Sequence, residues 1–302
     1  MTRYEPNLDL DTLGAIDVHV HVEIDGHGHA SLPDDLVAAA SKYFAADATR
    51  PDLDSIAAYY RERRMAAVVF TVDAETGLGH APISSADIAE GAARHNDVLI
   101  PFGSVDPNRT DAVDRARRLI EDSGVRGFKF HPTVQGFNPS DPVHFPLYEV
   151  LQGAGMVALF HTGQTGIGAG LPGGRGMRLA LSNPMLLDDV AAEHPELQII
   201  MAHPSVPWQD EALSVATHKH NTWIDLSGWS PKYFPDSLVR AANSYLKDRV
   251  LFGSDYPLLT PDRWIRDAEA TDRFKPEVRS RIYKDNAVRL LGLDRTTKGT
   301  SS

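Results

Sequence analysis

The sequence predicts an α/β protein and, within that class, a (β/α)8 TIM barrel with loop insertions at the C-terminal face of its strands. Short, almost continuously apolar runs recur eight times in the 302 residues. Runs that do not alternate apolar with polar residues are typical of strands buried on both faces, as in a parallel sheet. Amphipathic segments separate the runs, and an eightfold alternation of strand and helix is what this barrel requires.

The predicted strands are all short and apolar. They are Ala15–Val20, Ala66–Thr71, Val98–Val105, Gly127–His131, Met156–His161, Leu197–His203, Thr222–Ser227 and Arg249–Asp255. The predicted helices are Leu53–Arg64, Ser85–His95, Asp111–Asp122, Phe145–Gly153, Pro184–His194, Asp210–His220, Pro235–Lys247, Pro261–Thr271 and Pro276–Leu291. A doubly wound open sheet is the main alternative, but it normally has fewer units, and no GxGxxG motif follows an early strand.

Three long insertions follow predicted strands. They span residues 23–51, the glycine-rich stretch 163–182, and residues 228–234. Because all strands of such a barrel run in the same direction, these insertions are expected at the C-terminal face, where active sites of barrels lie. The barrel is predicted to form a single domain over residues 1–293, and the polar tail 294–302 is predicted to be disordered.

Composition restricts the expected partners and ligands. The formal net charge is −11, so neither nucleic acid nor an anionic membrane is expected as a partner, since phosphate binding depends on basic surface. The chain has 13 His and no Cys, so a metal would have to be held by imidazole and carboxylate groups. Neither a signal-peptide pattern nor a membrane-spanning apolar run is present, which predicts a cytoplasmic protein.

Histidines and one aspartate stand at the ends of the predicted strands. Since residues two apart on a strand share a face, the pair that ends the first strand points into the barrel together, and Asp17 is expected to point inward with it. Converging nitrogen and oxygen lone pairs are what a divalent metal requires, so a metal site is predicted at this rim. The strand-end residues are His19, His21, His131, His161, His203 and Asp255.

The motifs around these residues resemble the amidohydrolase superfamily. They read DVHVH at 17–21, GFKFHP at 127–132, LFHTG at 159–163, IMAHP at 200–204 and LFGSDYP at 251–257. More narrowly, they resemble the amidohydrolase 2 branch that contains aminocarboxymuconate-semialdehyde decarboxylase. The resemblance implies one divalent metal held by His19, His21, His161 and Asp255, usually Zn²⁺, although Mn²⁺, iron or nickel suits the same donors. It also implies a homodimer.

The resemblance further implies catalytic roles for Asp255 and His203. The expected reaction is hydrolysis: metal-activated water loses a proton to Asp255 and attacks a substrate carbonyl that His203 polarises. The substrate would be a small aromatic carboxylate or an aryl β-ketoacyl-CoA, because residues 227–235 and the glycine-rich loop resemble 4-hydroxyphenyl-β-ketoacyl-CoA hydrolases. A non-oxidative decarboxylase with the same residues is the alternative. A barrel that binds a metal or ligand without catalysis is the alternative of a different class.

Polar and aromatic residues near the predicted rim are candidate substrate contacts. Lys129 and His131, on the fourth predicted strand, are explained equally well by contact with substrate and by a polar network. Arg175 and Arg178, in the glycine-rich loop, either bind a substrate carboxylate or a CoA phosphate through their guanidinium groups or are solvated. The two aromatic residues either form the wall of a pocket or belong to a subunit interface. The candidates are Lys129, His131, Arg175, Arg178, Trp229 and Tyr233.

Overall fold

Eight parallel strands alternate with helices in the computed structural model, which describes residues 2–44 and 50–294. The strands are β1 (Ala15–His21), β2 (Met65–Phe70), β3 (Leu99–Pro101), β4 (Gly127–Phe130), β5 (Val157–His161), β6 (Gln198–Ala202), β7 (Thr222–Asp225) and β8 (Val250–Leu251). All eight coincide with the apolar runs. The third and eighth are shorter than predicted, because beyond them the chain forms only isolated bridges with its neighbours.

α-Helices lie between successive strands along the chain and after the last strand. They are α1 (Asp34–Phe44), α2 (Leu53–Glu62), α3 (Glu75–Leu78), α4 (Ser85–Arg94), α5 (Ala112–Arg118), α6 (Pro132–Gln135), α7 (Phe145–Gly153), α8 (Leu186–Glu193), α9 (Gln209–His218), α10 (Asp236–Ala242), α11 (Pro261–Thr271), α12 (Pro276–Ser280) and α13 (Asn286–Leu291). The last predicted helix is present as α12 and α13, joined by the π-helical turn Arg281–Asp285. No helix in the described part of the chain combines the length and apolarity needed to cross a bilayer.

The strands form a continuous ring. Parallel pairing is regular within β1–β3 and within β4–β8. The two seams are closed by single bridges, between Gly103 and Phe128 on one side and between Val20 and Tyr256 on the other. Backbone hydrogen bonds of 2.8–3.0 Å cross both seams. The predicted (β/α)8 barrel is therefore confirmed, and an open sheet does not describe this chain.

Apolar side chains fill both the interior of the barrel and the layer between strands and helices. Along β2, Val68 and Phe70 belong to the interior cluster, whereas Ala67 and Val69 pack with Tyr60 of α2. This alternation is the two-residue period of a strand between two apolar layers. Because the interior is packed with side chains, a ligand can enter only at a rim of the barrel.

All three predicted insertions contribute to the wall of one cavity, through residues such as Leu32, Ile167 and Trp229. The first insertion carries α1, the second carries the turns Pro172–Gly176 and Leu179–Ser182, and the third carries the turn Pro231–Tyr233. The cavity therefore opens at the C-terminal face, as the sequence predicted. Residues 45–49 of the first insertion, and the predicted disordered tail from residue 295 onward, lie outside the described residues.

Candidate active site at the barrel rim

Three of the strand-end residues form a compact cluster. Asp255 Oδ1 lies 3.1 Å from His21 Nε2 and 3.4 Å from His19 Nε2. The cluster forms because the segment after β8 runs beside β1, where the Asp255 amide donates to the His19 carbonyl at 3.0 Å. The ligand atoms of the three residues all lie within 4.8 Å of one another. The predicted convergence of these side chains is thus present.

Asp225, at the end of β7, is a site residue that the sequence analysis missed. Its Oδ2 atom lies 2.9 Å from Nδ1 of His19, and both side chains are fully buried. Because a carboxylate can only accept, His19 Nδ1 donates the proton and Nε2 keeps its lone pair on the side of Asp255. The sequence signal that could have identified Asp225 is its position at the end of a strand, which it shares with the predicted metal ligands.

His161 and His203 form a second part of the site. His203 Nδ1 lies 3.2 Å from the Ser227 carbonyl, an acceptor, so this nitrogen donates and His203 Nε2 accepts from His161 Nδ1 at 2.9 Å. The Ser227 hydroxyl lies 2.9 Å from His203 Nδ1 and 3.0 Å from His19 Nδ1, and so links the two parts. His161 Nε2 is left with its lone pair, buried and without a hydrogen-bond partner among the described residues.

This set of donors fits a divalent metal. Imidazole nitrogens of His19 and His21 face a carboxylate oxygen, and the unpartnered Nε2 of His161 belongs to the same cavity wall. A cationic group already lies against one of these nitrogens, because the Lys129 ammonium is 3.1 Å from His19 Nε2. His161 is outside the compact cluster, so the structure groups three of the four predicted ligands directly. Imidazole and carboxylate donors do not select one metal.

Burial and neighbouring charges shift the pKa values of the site. Burial lowers the pKa of His19 to about 3 and that of His203 below its ordinary value, so both rings are neutral at pH 7. Burial acts to raise the pKa of Asp255, but the hydrogen bond with His21 and the interactions with His19 and His203 outweigh it and hold that pKa well below its usual range. Neutral imidazoles beside an ionised carboxylate are the protonation state that metal binding needs.

The backbone at two site residues is strained. His203 and Asp255 have φ values of 68° and 73°, in the left-handed region that side chains with a Cβ rarely adopt. Such strain persists where the surrounding structure enforces it, as at functional sites. Gly228, with φ of 74°, allows the loop after β7 to approach them, since a Cβ there would lie 2.8 Å from His203 Nδ1.

Asp17 does not point inward with His19 and His21, contrary to the strand-alternation argument. Its Oδ2 atom accepts a hydrogen bond of 2.7 Å from the hydroxyl of Tyr60, on the outer helix α2. The reason is a register shift in the pairing of β1 with β2 between Asp17 and Val20, which breaks the two-residue alternation. Asp17 Oδ1 also accepts from the amide of Ser254, so it ties β1 to the segment that carries Asp255.

The candidate substrate contacts divide into two groups. Lys129, His131, Trp229 and Tyr233 line the main cavity, which has a volume of about 330 Å³. His131 also stacks on His161, with ring centroids 3.8 Å apart.

The two loop arginines do not reach this cavity. Arg175, whose backbone is left-handed with φ of 56°, instead forms a 3.0 Å ion pair with Asp35 of α1. Arg178 is exposed, and its carbonyl accepts from Thr133. The cavity wall includes two charged residues that the sequence analysis did not select, Glu23 and Arg263.

Comparisons with known proteins establish the family of the chain. The amidohydrolase family model (Amidohydro_2) matches residues 16–293, and the chain therefore belongs to this family. It is 26% identical over 240 residues to a 2-amino-3-carboxymuconate-6-semialdehyde decarboxylase of Dictyostelium discoideum, in an alignment that covers 68% of this chain and 65% of the relative. The matched region thus spans slightly less than two thirds of that decarboxylase.

Solved structures show the same fold. An uncharacterised TIM-barrel protein from Bordetella bronchiseptica has a TM-score of 0.72 and 22% identity, over 92% of this chain and 98% of that one. A dihydroxybenzoic acid decarboxylase from Polaromonas, solved with manganese and the inhibitor 2-nitroresorcinol, has a TM-score of 0.68 and 16% identity, over 96% of this chain and 100% of that one. At these identities the likeness concerns the fold alone.

Replacing Asp225 with Asn is expected to weaken metal binding about 10- to 100-fold, because the carboxylate that orients His19 and raises its basicity is lost. Titration of the metal-free protein with Zn²⁺ and with Mn²⁺ measures the effect. Asp97→Asn is the matched control, since Asp97 forms a surface ion pair with Arg61 on a different part of the chain. Equal affinity in wild type and Asp225→Asn would remove Asp225 from the metal centre.

Proposed function

We propose that this protein is a metal-dependent, non-oxidative decarboxylase of a small aromatic or conjugated carboxylic acid. The observation that carries the proposal is that the His/Asp cluster lies in the wall of a cavity whose remaining surface is mainly apolar. A polar centre in an apolar cavity suits a flat acid with one reacting carboxylate. The decarboxylases among the similar proteins support this reaction over the hydrolysis expected from the sequence.

The cavity provides the physical conditions for loss of CO2. Val22, Leu32, Ile167 and Leu259 line it and offer apolar contacts to a bound ring. In such surroundings the fixed charges of the centre act more strongly on the substrate than they would in water. A flat ring would also find Trp229 in the wall, where it can stack. These groups orient the substrate so that its carboxylate meets the cluster.

The proposed reaction breaks the bond between the carboxylate carbon and the adjacent carbon of the substrate. A divalent metal, when bound, supplies positive charge that holds the oxygen atoms of the substrate. We assign the metal to His19, His21, His161 and Asp255, with Zn²⁺ and Mn²⁺ both compatible with these donors. The electron pair of the broken bond stays on the substrate carbon and CO2 leaves. His203, which is neutral at rest, takes up a proton from solvent and transfers it to that carbon to complete the new C–H bond. Ser227 holds the ring of His203 in place for this transfer.

Hydrolysis remains the competing reaction, because the same side chains can activate water against a carbonyl. The experiment is to incubate the protein, reconstituted with Mn²⁺ or Zn²⁺, with dihydroxybenzoates, unsaturated dicarboxylic acids and aryl β-ketoacyl-CoA thioesters in ¹⁸O-labelled water. We expect CO2 release in equal amount to a product lacking one carboxylate. A product acid that carries ¹⁸O, without CO2, would instead establish a hydrolase. An absence of both products across these substrates would favour the barrel that binds without catalysis.

A further inference from the structure

Arg263 is a cavity-lining cation whose charge the metal centre does not use. It lies in the first half of α11 and contributes to the wall of the main cavity, together with Tyr233 from the loop after β7. Within the described residues, its guanidinium makes no hydrogen bond, and its nearest ionic partner is Asp267 at 3.9 Å. Its side chain is 58% exposed, which is consistent with a position at the cavity mouth. Five N–H donors are therefore available to a ligand.

Among the described residues, the carboxylate that forms an ion pair with Arg263 is already engaged by other groups. Asp267 is 3% exposed and receives a hydrogen bond of 2.7 Å from the Ser230 hydroxyl and an ion pair of 2.9 Å from the Lys232 ammonium. Arg266 lies 4.0 Å from the same carboxylate. Lys232, Arg263 and Arg266 thus share the carboxylate of Asp267, which leaves the charge of Arg263 only partly compensated.

The cavity wall contains both Arg263 and residues of the metal cluster. His21 and Asp255 line it, and the Lys129 ammonium, also in the wall, lies against His19. Leu259, Ile167 and Trp229 contribute apolar wall to the same cavity, which also contains the carboxylate of Glu23. A guanidinium binds carboxylate through two parallel hydrogen bonds, which fixes the orientation of a ligand as well as its charge.

We propose that Arg263 binds a second carboxylate of the substrate, so that the protein prefers dicarboxylates to monocarboxylates. This inference rests on the proposed function for the role of the first carboxylate, which occupies the metal centre. Arg263 contacts the substrate away from the reacting atoms, and so it determines specificity rather than chemistry. A phosphate, such as those of a CoA thioester, is the other anion that the same guanidinium would accept.

The test compares binding of two probes of nearly equal shape, isophthalate and its monomethyl ester, to the Mn²⁺-reconstituted protein by calorimetry. We expect wild type to bind isophthalate about three- to tenfold more tightly than the ester, the range for a partly exposed, bidentate ion pair. Arg263→Met should abolish this preference, and Arg263→Lys should restore part of it. Arg266→Met is the matched control, because it removes the same charge from the same helix and Arg266 is not part of the cavity wall.

An equal affinity for both probes in wild type, or an unchanged preference in Arg263→Met, would overturn the inference. Coenzyme A serves as a third probe: if Arg263→Met weakens only its binding, the guanidinium recognises phosphate and the dicarboxylate assignment is wrong. Since binding is measured without turnover, a charge preference that depends on Arg263 would stand even if no CO2 were ever released. Conversely, CO2 release without this preference would support the reaction and refute the role of Arg263.

Discussion

Asp255→Asn is expected to abolish turnover, with a fall in kcat of about 10³-fold or more, and to lower the bound metal far below one ion per chain. Asp255 Oδ1 is the anionic atom that lies between His19 Nε2 and His21 Nε2, at 3.4 and 3.1 Å. An amide keeps the shape of the side chain but removes the negative charge that balances a divalent cation. Loss of metal-based charge stabilisation is worth several kcal/mol, which corresponds to this loss in rate.

Elemental analysis of the purified, reconstituted variants measures the metal, and CO2 release or product formation measures the rate. Asp97→Asn again provides the control, because it removes a carboxylate from a surface ion pair without touching the barrel rim. Circular dichroism separates a folding defect from a site defect, since Asp255 is buried and has a strained backbone. An Asp255→Asn protein that keeps its metal and its turnover would refute the proposed centre.

The positions of the strands could be predicted from sequence because each strand is a local apolar run. Locating the eight runs requires no information about distant residues. Because all the strands run in the same direction, the residues at their ends lie at the same rim of the barrel. The clustering of His19, His21 and Asp255 follows from this reasoning together with the closure of the barrel. The pattern does not fix the distances, which depend on the bridge between Val20 and Tyr256 at the seam.

Features that depend on contacts between distant residues were not predictable in the same way. Asp225 looks like any aspartate in a strand until its carboxylate is placed on His19, a residue 206 positions away. The strand pattern predicts the wrong face for Asp17, because a register shift leaves no mark in an apolar run. Arg263 lies in an ordinary amphipathic helix, and only the fold brings it to the cavity wall. Arg175 is the opposite case, because it lies in a glycine-rich loop that resembles a ligand-binding loop but pairs with Asp35.

The acidic composition and the proposed anionic substrate are compatible, because local charge decides binding. The net charge of −11 is spread over the whole chain, while the cavity wall carries Lys129 and Arg263 beside Glu23 and Asp255, and a divalent cation at the cluster would add positive charge. Surface charges more than about 10 Å away are largely screened at physiological salt.

The homodimer that the family resemblance implies stays a prediction, since the structure contains one chain. Native mass spectrometry would give the assembly and the bound metal in a single measurement.

His203→Asn is expected to reduce kcat about 10²- to 10⁴-fold while the metal content stays close to that of wild type. The size of the effect is that of removing a general acid or base. His203 Nε2 accepts from His161 Nδ1, and its Nδ1 atom is held by Ser227, so the ring is positioned by its neighbours. Asparagine preserves some hydrogen bonding but cannot carry the proton that the new C–H bond requires. His220→Asn, on an exposed histidine, is the control for histidine replacement as such.

The metal content of His203→Asn decides between two roles that the geometry allows. His203, His19 and Asp225 also form a group whose ligand atoms lie within 4.8 Å of one another, so a role as metal ligand is stereochemically open. Two contacts argue against that role. The Nδ1 atom of His19 is hydrogen-bonded to Asp225 Oδ2, and the Nδ1 atom of His203 is hydrogen-bonded to the Ser227 carbonyl. In both rings only Nε2 is then left to act as a metal ligand. If metal and turnover fall together in His203→Asn, His203 is a ligand. If turnover alone falls, proton transfer is its function, and the metal belongs to the cluster around Asp255.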